Sequence, residues 1–454
     1  MTDATAQGPD ASRPERSGSL IALDERTRRR NRSERRFRLY GLIAIGIGVL
    51  ALVVLLTSIL SQGLPAFQQT FVNASVYLDP AKLDKNGTRD IEEIKKVSTF
   101  GYAPLIADAM DRKMESLGID PEEFGLSDKD ALEMISKEAA AQLRRYVIAN
   151  PDQIGQTVEF RFLANGRIDG YYKGRVTMES AERDSNVSPA QLRLADELKA
   201  DGALGTYFNW DFITAADASE NRPEAAGIGV AIIGSFYMML VVLFLALPIG
   251  VAASIYLEEF APKNWFTDLI EVNISNLAAV PSIVFGILGL AIFINYVGLP
   301  QSAPIVGGLV LTLMTLPTII ISTRASLKSV PPSIRDAALG VGASKMQSVF
   351  HHVLPLAMPG ILTGTIIGLA QALGETAPLM LIGMVAFVRE YPGAPPEGFF
   401  DPASALPVQV YNWTTRADPA FVERASGAII VLLLFLLCMN MIAIILRRRF
   451  ERRW

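Results

Sequence analysis

The residues of this chain that say most about its chemistry form one polar pattern between two long apolar segments. They are Asp336, Ala337, Ala338, Gly342, Leu354 and Pro355. The two alanines keep one face of a helix small, and the glycine lets the chain turn or another backbone approach closely. The proline is expected to end one helix and begin the next. We therefore predict a short helix-turn-helix surface that another protein subunit grips.

A second polar site follows in the sequence Gly-Glu-Thr-Ala-Pro at positions 374–378. Glu375 would lie in the membrane, where a carboxylate costs about 2.5–3.5 kcal/mol, so it should face a partner group or a watery cavity. Gln371 lies one helical turn earlier on the same face, and Thr376 adds a hydroxyl group. Pro378 is expected to break the helix and release backbone groups. Gln371, Glu375 and Thr376 are thus candidate substrate-pathway residues, and the alternative is a structural glutamate that ties two helices together.

The sequence lacks the short motifs that would make this chain an enzyme. It contains no Gly-Lys dipeptide, and so no Walker A loop, and no Gly-x-Ser-x-Gly or His-Glu-x-x-His motif. The single cysteine, Cys438, excludes an internal disulfide and a cysteine-rich metal site. His351 and His352 would point about 100° apart on a helix, so they are not expected to share a metal ion. We predict no cofactor, no metal site and no catalytic residue in this chain.

The composition indicates a protein that is partly embedded in a membrane. Of its 454 residues, 50% are hydrophobic and 19% are charged, and the mean hydropathy is +0.30. Such a chain is too apolar for one soluble core and too charged for a bare helix bundle. The net charge of -4 gives no basic field over the molecule, so nucleic acid is not an expected partner.

Six apolar runs are each long enough to cross a hydrocarbon core of about 30 Å. They cover residues 41–60, 228–257, 276–297, 304–323, 358–387 and 426–446. Arginines crowd both ends of the chain, at 28–30 and 447–449, which favours cytoplasmic termini and agrees with an even number of spans. The chain is therefore predicted to be an all-α, multi-pass membrane protein surrounded by lipid, with the segment around Asp336 in the cytoplasm.

The order of these runs divides the chain into five parts. We predict a disordered basic arm at 1–38, a first transmembrane helix at 39–61, an extracytoplasmic domain at 62–226, a five-helix membrane core at 227–446 with a cytoplasmic loop at 329–355, and a basic tail at 447–454. The extracytoplasmic domain is predicted to be α+β.

Within that domain, apolar spacing predicts helices at 102–117, 127–148 and 189–199. Residues 157–162 alternate between polar and apolar types, which is typical of a strand. Asn165 and Gly166 should then form the turn of a hairpin whose second strand is 168–176.

The pattern around Asp336 resembles the EAA loop of ABC importer permeases, which docks into an ATPase subunit. Asp336 stands where the family usually has glutamate, and His352 stands at a usually aliphatic position. With the Gly-Glu-Thr-Ala-Pro motif about 20 residues later, the chain is similar to the PstA-type permease of the phosphate ABC importer, in a variant with a large domain after the first helix. The likeness covers the chain from about Ile228 to the C-terminus.

This resemblance implies a type I ABC importer permease fold and the inward movement of inorganic phosphate by alternating access, in the bacterial inner membrane. It also implies a second, homologous permease as heterodimer partner, an ATPase dimer that binds ATP and Mg²⁺, and a periplasmic phosphate-binding protein. Many relatives carry arginine four residues before the motif's glutamate, where this chain has Gln371. The resemblance therefore implies that the positive partner of the anion comes from the other permease.

Two other functions fit parts of the sequence. In a membrane sensor, residues 62–226 would bind a ligand and the cytoplasmic loop would report it to a regulatory protein, although a sensor usually has only one or two spans and a long cytoplasmic output domain. A permease of the same class would alternatively carry another oxyanion, such as sulfate or molybdate. The motif at 374–378 disfavours this second alternative.

Overall fold

The computed structural model describes residues 25–84, 86–385 and 387–450. The chain divides into two compact units, residues 1–58 and 59–454. Helix α1 (Glu25–Gly63) begins in the first unit and ends in the second. Residues 25–38 belong to this helix, so the prediction of a disordered arm is wrong for them, because arginine and glutamate favour helix and continue into the apolar run. Residues 1–24 of the predicted arm and 451–454 of the predicted tail lie outside the described residues.

A three-stranded antiparallel sheet organises the inserted domain, residues 64–228, which lies between α1 and the next membrane helix. Its strands are β1 (Gln68–Tyr77), β2 (Thr157–Leu163) and β3 (Leu204–Phe208), in the order β2-β1-β3. Val72, Ala74 and Val76 alternate along β1 and are buried in one apolar cluster with Met110 and Leu143 of the surrounding helices. The sheet and its helices therefore share one core, and this confirms the α+β class.

The helices of the inserted domain are short. They are α2 (Pro80–Leu83), α3 (Ile91–Lys96), α4 (Ala103–Leu117), α5 (Asp128–Leu132), α6 (Ala139–Ala149), α7 (Gly166–Tyr172), α8 (Met178–Ala181), α9 (Pro189–Ala200) and α10 (Trp210–Thr214). Helices α4 and α9 and strand β2 confirm three of the predicted elements. The helix predicted at 127–148 is interrupted between α5 and α6, where Ile135 forms an isolated β-bridge with Ala164.

The predicted hairpin after β2 is wrong. The side chain of Asn165 accepts a hydrogen bond from the amide of Arg167 at 2.9 Å, which starts helix α7 where a turn was expected. Strand β2 pairs instead with β1, and Phe71 lies opposite Leu163. The pairing of β2 with a strand 80 to 92 residues earlier in the chain therefore outweighs the local turn preference of Asn165 and Gly166.

Ten further helices follow the inserted domain in the described chain. They are α11 (Gly229–Ile255), α12 (Trp265–Ala278), α13 (Ser282–Leu288), α14 (Pro304–Lys328), α15 (Pro332–Gly340), α16 (Lys345–Ser348), α17 (Leu354–Gly374), α18 (Ala377–Leu381), α19 (Leu406–Thr414) and α20 (Pro419–Phe450). Five helical stretches of the described chain are long and apolar enough to cross a membrane, and a bent pair raises the number to six. The six predicted spans therefore have helical counterparts.

Two predicted spans are broken. The stretch predicted at 276–297 consists of the end of α12 and the whole of α13, continued by π-helical turns to Tyr296, with a bend of 104° between Trp265–Ala278 and Ser282–Tyr296. Pro281 immediately precedes α13, and a proline disfavours helical backbone at the residue before it. The stretch predicted at 358–387 ends as a helix at Gly374 and restarts as α18.

Candidate functional site

The 329–355 segment connects α14 to α17 through two short helices. Helix α15 ends in a turn, and Ser344 caps the start of α16, since its hydroxyl accepts a hydrogen bond from the amide of Gln347 at 3.2 Å. Helix α16 continues through a π-helical turn (Val349–Val353) directly into α17. The predicted helix break at Pro355 is therefore wrong. Pro355 lies in the first turn of α17, and the wider π-helical turn before it accommodates the missing N–H group.

One surface of this segment faces away from the rest of the described chain. Asp336 and Ala337 are exposed, and Val341, in the turn after α15, is 86% exposed. Gly342 adopts a φ of +88°, and a Cβ atom there would meet no described atom within 4 Å. The glycine is thus required by the left-handed turn and not by a close approach of the described chain. An exposed apolar surface next to an acid is typical of a docking face.

The opposite surface of the 329–355 segment packs onto three membrane helices. Ala338 and half-buried Leu354 and Pro355 lie on this inner side. The buried apolar cluster beneath them consists of Ile255, Leu327, Val330, Val349, Val353, Ala357 and Ile361. The cluster also takes residues from α11, α14 and α17, so the segment shares one buried core with these helices.

Sequence reasoning missed two charged residues at this surface. Arg335 of α15 and Glu259, in the π-helical turn that follows α11, form an ion pair with an N–O distance of 2.7 Å. A signal was present, because an arginine stands immediately before Asp336 and an acidic pair ends the apolar run at Glu258 and Glu259.

The three candidate pathway residues lie at the other end of α17. Glu375 and Thr376 occupy the interruption between α17 and α18 and are half-buried, and Gln371 is exposed on the last turn of α17. Within the described residues, none of these three side chains has a hydrogen-bond or ion-pair partner. Glu375 therefore does not tie two described helices together, which removes the structural alternative as far as the described chain is concerned.

The break at Glu375 is supported by a neighbouring helix. Pro378 lies in the first turn of α18, where its missing N–H group is tolerated. A Cβ atom on Gly286 of α13 would come within 2.7 Å of the Cα atom of Pro378, so the two interrupted spans touch through a glycine. Gly360 and Gly364 of α17 lie in the same way against Ser326 and Ser322 of α14.

The two candidate sites are therefore far apart along one helix. Helix α17 has 21 residues, and at 1.5 Å per residue its ends are about 30 Å apart. The structure places Leu354 and Pro355 at one end and Gln371 and Glu375 at the other. Helix α17 thus joins the exposed face of the 329–355 segment to a carboxylate without a partner in the described chain, across roughly the thickness of a membrane.

A second charged cluster, which the sequence did not reveal, joins the inserted domain to helix α20. Glu423 in α20 accepts from Lys173 Nζ at 2.9 Å, and its other carboxylate oxygen forms an ion pair with Arg175, at 2.8 Å from Nε. Asp169 in α7 binds the same two cations at 2.7 and 3.3 Å and also accepts from the amide of Thr70 at 3.0 Å. The side chains of Asp169, Lys173 and Glu423 are each at most 7% exposed. Three buried charges and the partly exposed Arg175, whose side chain is 23% exposed, therefore meet between the two regions.

Arg424, the next residue along α20, extends this attachment. Its Nη2 atom donates to Gln69 Oε1 at 2.7 Å and to the carbonyl of Glu224 at 2.9 Å, and the residue is 2% exposed. The Glu224 carboxylate accepts from the hydroxyl of Ser136 at 2.5 Å. Burial raises the pKa of Glu224, although the Ser136 hydrogen bond and the charge of Arg424 oppose that rise.

These features define a multi-pass membrane protein with an exposed segment between two of its long helices. A family profile described as "Binding-protein-dependent transport system inner membrane component" matches residues 246–454, and another described as "Domain of unknown function (DUF3333)" matches residues 24–182. The "Probable ABC transporter permease protein YqgI" of Bacillus subtilis is 32% identical over 249 residues, which cover 52% of this chain and 83% of that protein.

The "Phosphate transport system permease protein PstA" of Mycobacterium leprae is 32% identical over 230 residues, which cover 50% of this chain and 73% of that protein. A solved structure of the MetNI methionine ABC transporter in an inward-facing conformation is 16% identical, with a TM-score of 0.38, over 50% of this chain and 95% of that one. The chain belongs to the family of PstA-type ABC transporter permeases.

Membership of this family confirms the predicted fold class and the prediction that the chain is not an enzyme. The chain is a multi-pass inner-membrane permease of an ABC importer, and such permeases work with ATPase and substrate-binding protein partners.

Proposed function

We propose that this chain is the permease subunit of an ATP-driven importer of inorganic phosphate. The observation that carries the proposal is the half-buried, unpaired Glu375 at the interruption between α17 and α18, in a chain related to a phosphate transport permease. A carboxylate at membrane depth needs a partner or water, and the described chain supplies no partner for it. Its environment is therefore completed by another subunit or by a watery path.

A carboxylate repels phosphate, so Glu375 does not itself bind the anion. In this proposal it orients a cation of a second, homologous permease, or it gates the path, while Gln371 and Thr376 supply neutral hydrogen-bonding groups. The exposed position of Gln371 on α17 supports such a role, because its amide points away from the packed interior of this chain.

The energy for transport enters at the 329–355 segment. We propose that an ATPase dimer, which holds ATP and Mg²⁺, docks on the face that carries Asp336, Ala337 and Gly342. Closure of the dimer moves this segment, and α17 carries the motion to the region of Glu375. The transport cavity then closes on one side of the membrane and opens on the other. The remaining proposed partners are a periplasmic phosphate-binding protein on the side of the inserted domain and membrane lipid around the helices, with both termini in the cytoplasm.

Uptake by the reconstituted complex tests this proposal. Proteoliposomes that contain this chain, its second permease and its ATPase subunits, supplied with the binding protein, should accumulate labelled phosphate only when ATP and Mg²⁺ are present on the ATPase side. Unlabelled phosphate should abolish the signal, and a tenfold excess of sulfate or molybdate should leave it unchanged. Competition by sulfate or molybdate at that excess would contradict phosphate as the substrate and leave the permease assignment intact.

A further inference from the structure

The Arg335 guanidinium group joins three separate elements at the end of the membrane helices. Its Nε and Nη2 atoms donate to Glu259 Oε1 at 3.1 and 2.7 Å. Its Nη1 atom donates to the carbonyl of Val330 at 2.7 Å, and Nη2 also donates to the carbonyl of Leu327 at 2.9 Å. One side chain therefore connects α15 to the turn after α11 and to the end of α14.

These contacts are those of a directional clamp and not of a surface ion pair. The side chains of Arg335 and Glu259 are 22% and 7% exposed, so water screens the pair weakly. A guanidinium fork fixes both the distance and the orientation of a carboxylate, which an ammonium group does not. The two carbonyls belong to the end of α14 and the turn after it, where backbone acceptors lack helical partners.

The neighbouring acid, Glu258, points to a different partner. Its carboxylate lies 3.4 Å from Arg324 Nε and 3.5 Å from Lys328 Nζ, both on α14. The pair of adjacent glutamates therefore has two separate tasks: Glu258 joins the α11 turn to α14, and Glu259 joins it to α15. Only the second contact reaches the 329–355 segment.

We infer that Arg335 is a positioning residue of the transport cycle, which transmits displacement of α15 to the ends of α11 and α14 through Glu259, Leu327 and Val330. This inference rests on the proposed function, in which the ATPase docks on the 329–355 segment. The apolar cluster beneath α15 resists compression but permits sliding, because dispersion contacts have no direction. The clamp removes that freedom, so a movement imposed on α15 becomes a movement of two membrane helices.

The test compares Arg335→Met, Arg335→Lys and Glu259→Gln in the reconstituted complex, with Lys263→Met as the matched control. Lys263 is an exposed cation close to the same turn, and it has no ion-pair or hydrogen-bond partner in the described chain. Two rates are measured together: ATP hydrolysis and the uptake of labelled anion. Assembly with the ATPase is measured by co-purification.

We expect Arg335→Met to retain assembly and at least half of the ATP hydrolysis while anion uptake per ATP falls about tenfold, within the usual range of coupling free energies. Arg335→Lys should lie between Arg335→Met and the native protein, because an ammonium group replaces the charge but not the fork. Lys263→Met should match the native ratio. A native ratio of uptake to hydrolysis in Arg335→Met, or an equal fall in Lys263→Met, would overturn the inference.

A second measurement does not depend on the identity of the substrate. Hydrogen exchange of the amides in residues 332–340 is compared in the full complex with and without nucleotide. Loss of the clamp should speed exchange in this helix in Arg335→Met and Glu259→Gln and leave it native in Lys263→Met. Unchanged exchange would overturn the inference even if the complex carries an anion other than phosphate. If exchange speeds up in Arg335→Met and Glu259→Gln as expected, but the native complex takes up no oxyanion, the proposed function alone is refuted.

Discussion

The two ends of the permease core differ in how they are held: one by a network of ion pairs, the other by one ion pair and an apolar cluster. At the end next to the inserted domain, ion pairs join the buried side chains of Asp169, Lys173 and Glu423 and the partly exposed Arg175. Arg424 donates hydrogen bonds to Gln69 and to the carbonyl of Glu224. At the end that carries the 329–355 segment, a single guanidinium clamp and an apolar cluster hold the segment, and its outer face is exposed. The comparison indicates that the first end is fixed and that the second is built to be moved.

The fixed end also bears on the sensor alternative. A ligand-binding sensor domain needs freedom to shift relative to the membrane helices when its ligand binds. Here Phe212 of the inserted domain is buried together with Trp413 and Phe421 of the permease core, next to the charged cluster. Movement of the domain alone would separate buried charges, which is strongly unfavourable. The attachment favours a domain that moves as one body with α20.

The largest expected effect comes from breaking the fixed end. Glu423→Leu removes the carboxylate that Lys173 and Arg175 share across the interface. We expect a loss of about 3–5 kcal/mol in the free energy of unfolding, because Lys173 stays buried, and Arg175 partly buried, with one fewer acidic partner. Chemical unfolding of the purified protein in detergent measures it. Asp108→Asn is the control, since its pair with Lys82 is exposed and should contribute less than about 1 kcal/mol. Equal effects of the two substitutions would show that the buried cluster does not fix this end.

The next effect tests Glu375, which follows the end of α17 that is far from the 329–355 segment. Glu375→Gln keeps the shape of the side chain and removes its charge, so we expect phosphate uptake to fall roughly thirtyfold, equivalent to about 2 kcal/mol, with normal abundance in the membrane. Uptake assays and quantitative immunoblots of the same membranes measure both quantities. Normal transport by Glu375→Gln, with failure of Glu375→Ala to accumulate, would make this residue a structural tie to another subunit.

A smaller effect tests whether the movable end depends on its turn. Gly342 has a φ of +88°, where an L-residue costs roughly 1–2 kcal/mol, so Gly342→Ala should lower uptake about fivefold while ATP hydrolysis continues. Gly342→Asp should reduce uptake further, because it also adds a charge to the docking face. Gly340→Ala is the matched control, since Gly340 is also without described neighbours within 4 Å but lies in helix α15, where alanine is favoured. Native uptake by Gly342→Asp would show that this turn does not serve in coupling.

The smallest effect is a change in the pH dependence of stability at the fixed end. Burial raises the pKa of Glu224 in the folded protein, so the folded state favours the protonated carboxyl. The stability that this provides is present below the unfolded pKa and is lost as pH rises through the folded pKa. Glu224→Gln stays neutral, so its melting temperature relative to that of the native protein should rise from pH 4 to pH 8. A difference that is constant over this range would contradict the raised pKa.

Sequence patterns predicted the features that depend on neighbouring residues. The apolar runs at 228–257 and 304–323 became α11 and α14, because about 20 apolar residues have no other stable place. A turn at Gly342 was one of two roles predicted for this glycine, the other being close approach of another backbone, and its φ of +88° supports the turn. The helix that begins with Pro189 was also predicted, and Ser188 caps it by accepting from the amide of Gln191.

The features that escaped prediction depend on distant partners. Lys173 and Glu423 are 250 residues apart in the chain, and no local pattern relates them. Strand β2 pairs with β1, although Asn165 and Gly166 are a residue pair typical of a hairpin turn directly after β2. Pro281 signalled a break, but the hydrophobicity of the run from 276 to 297 concealed the bend of 104°. Hydrophobic length identifies a membrane segment and says little about whether it is straight.

The separation of Lys173 from Glu423 has a consequence for biosynthesis. A ribosome adds about 5–20 residues per second, so the 250 residues between the two partners take roughly 12–50 s to make. Throughout that interval the inserted domain exists without α20, and Lys173 and Arg175 have only Asp169 as an acidic partner in this cluster. Arrival of the last helix completes the charge balance. A chain that stops before α20 therefore leaves Lys173 and Arg175 with one acidic partner instead of two.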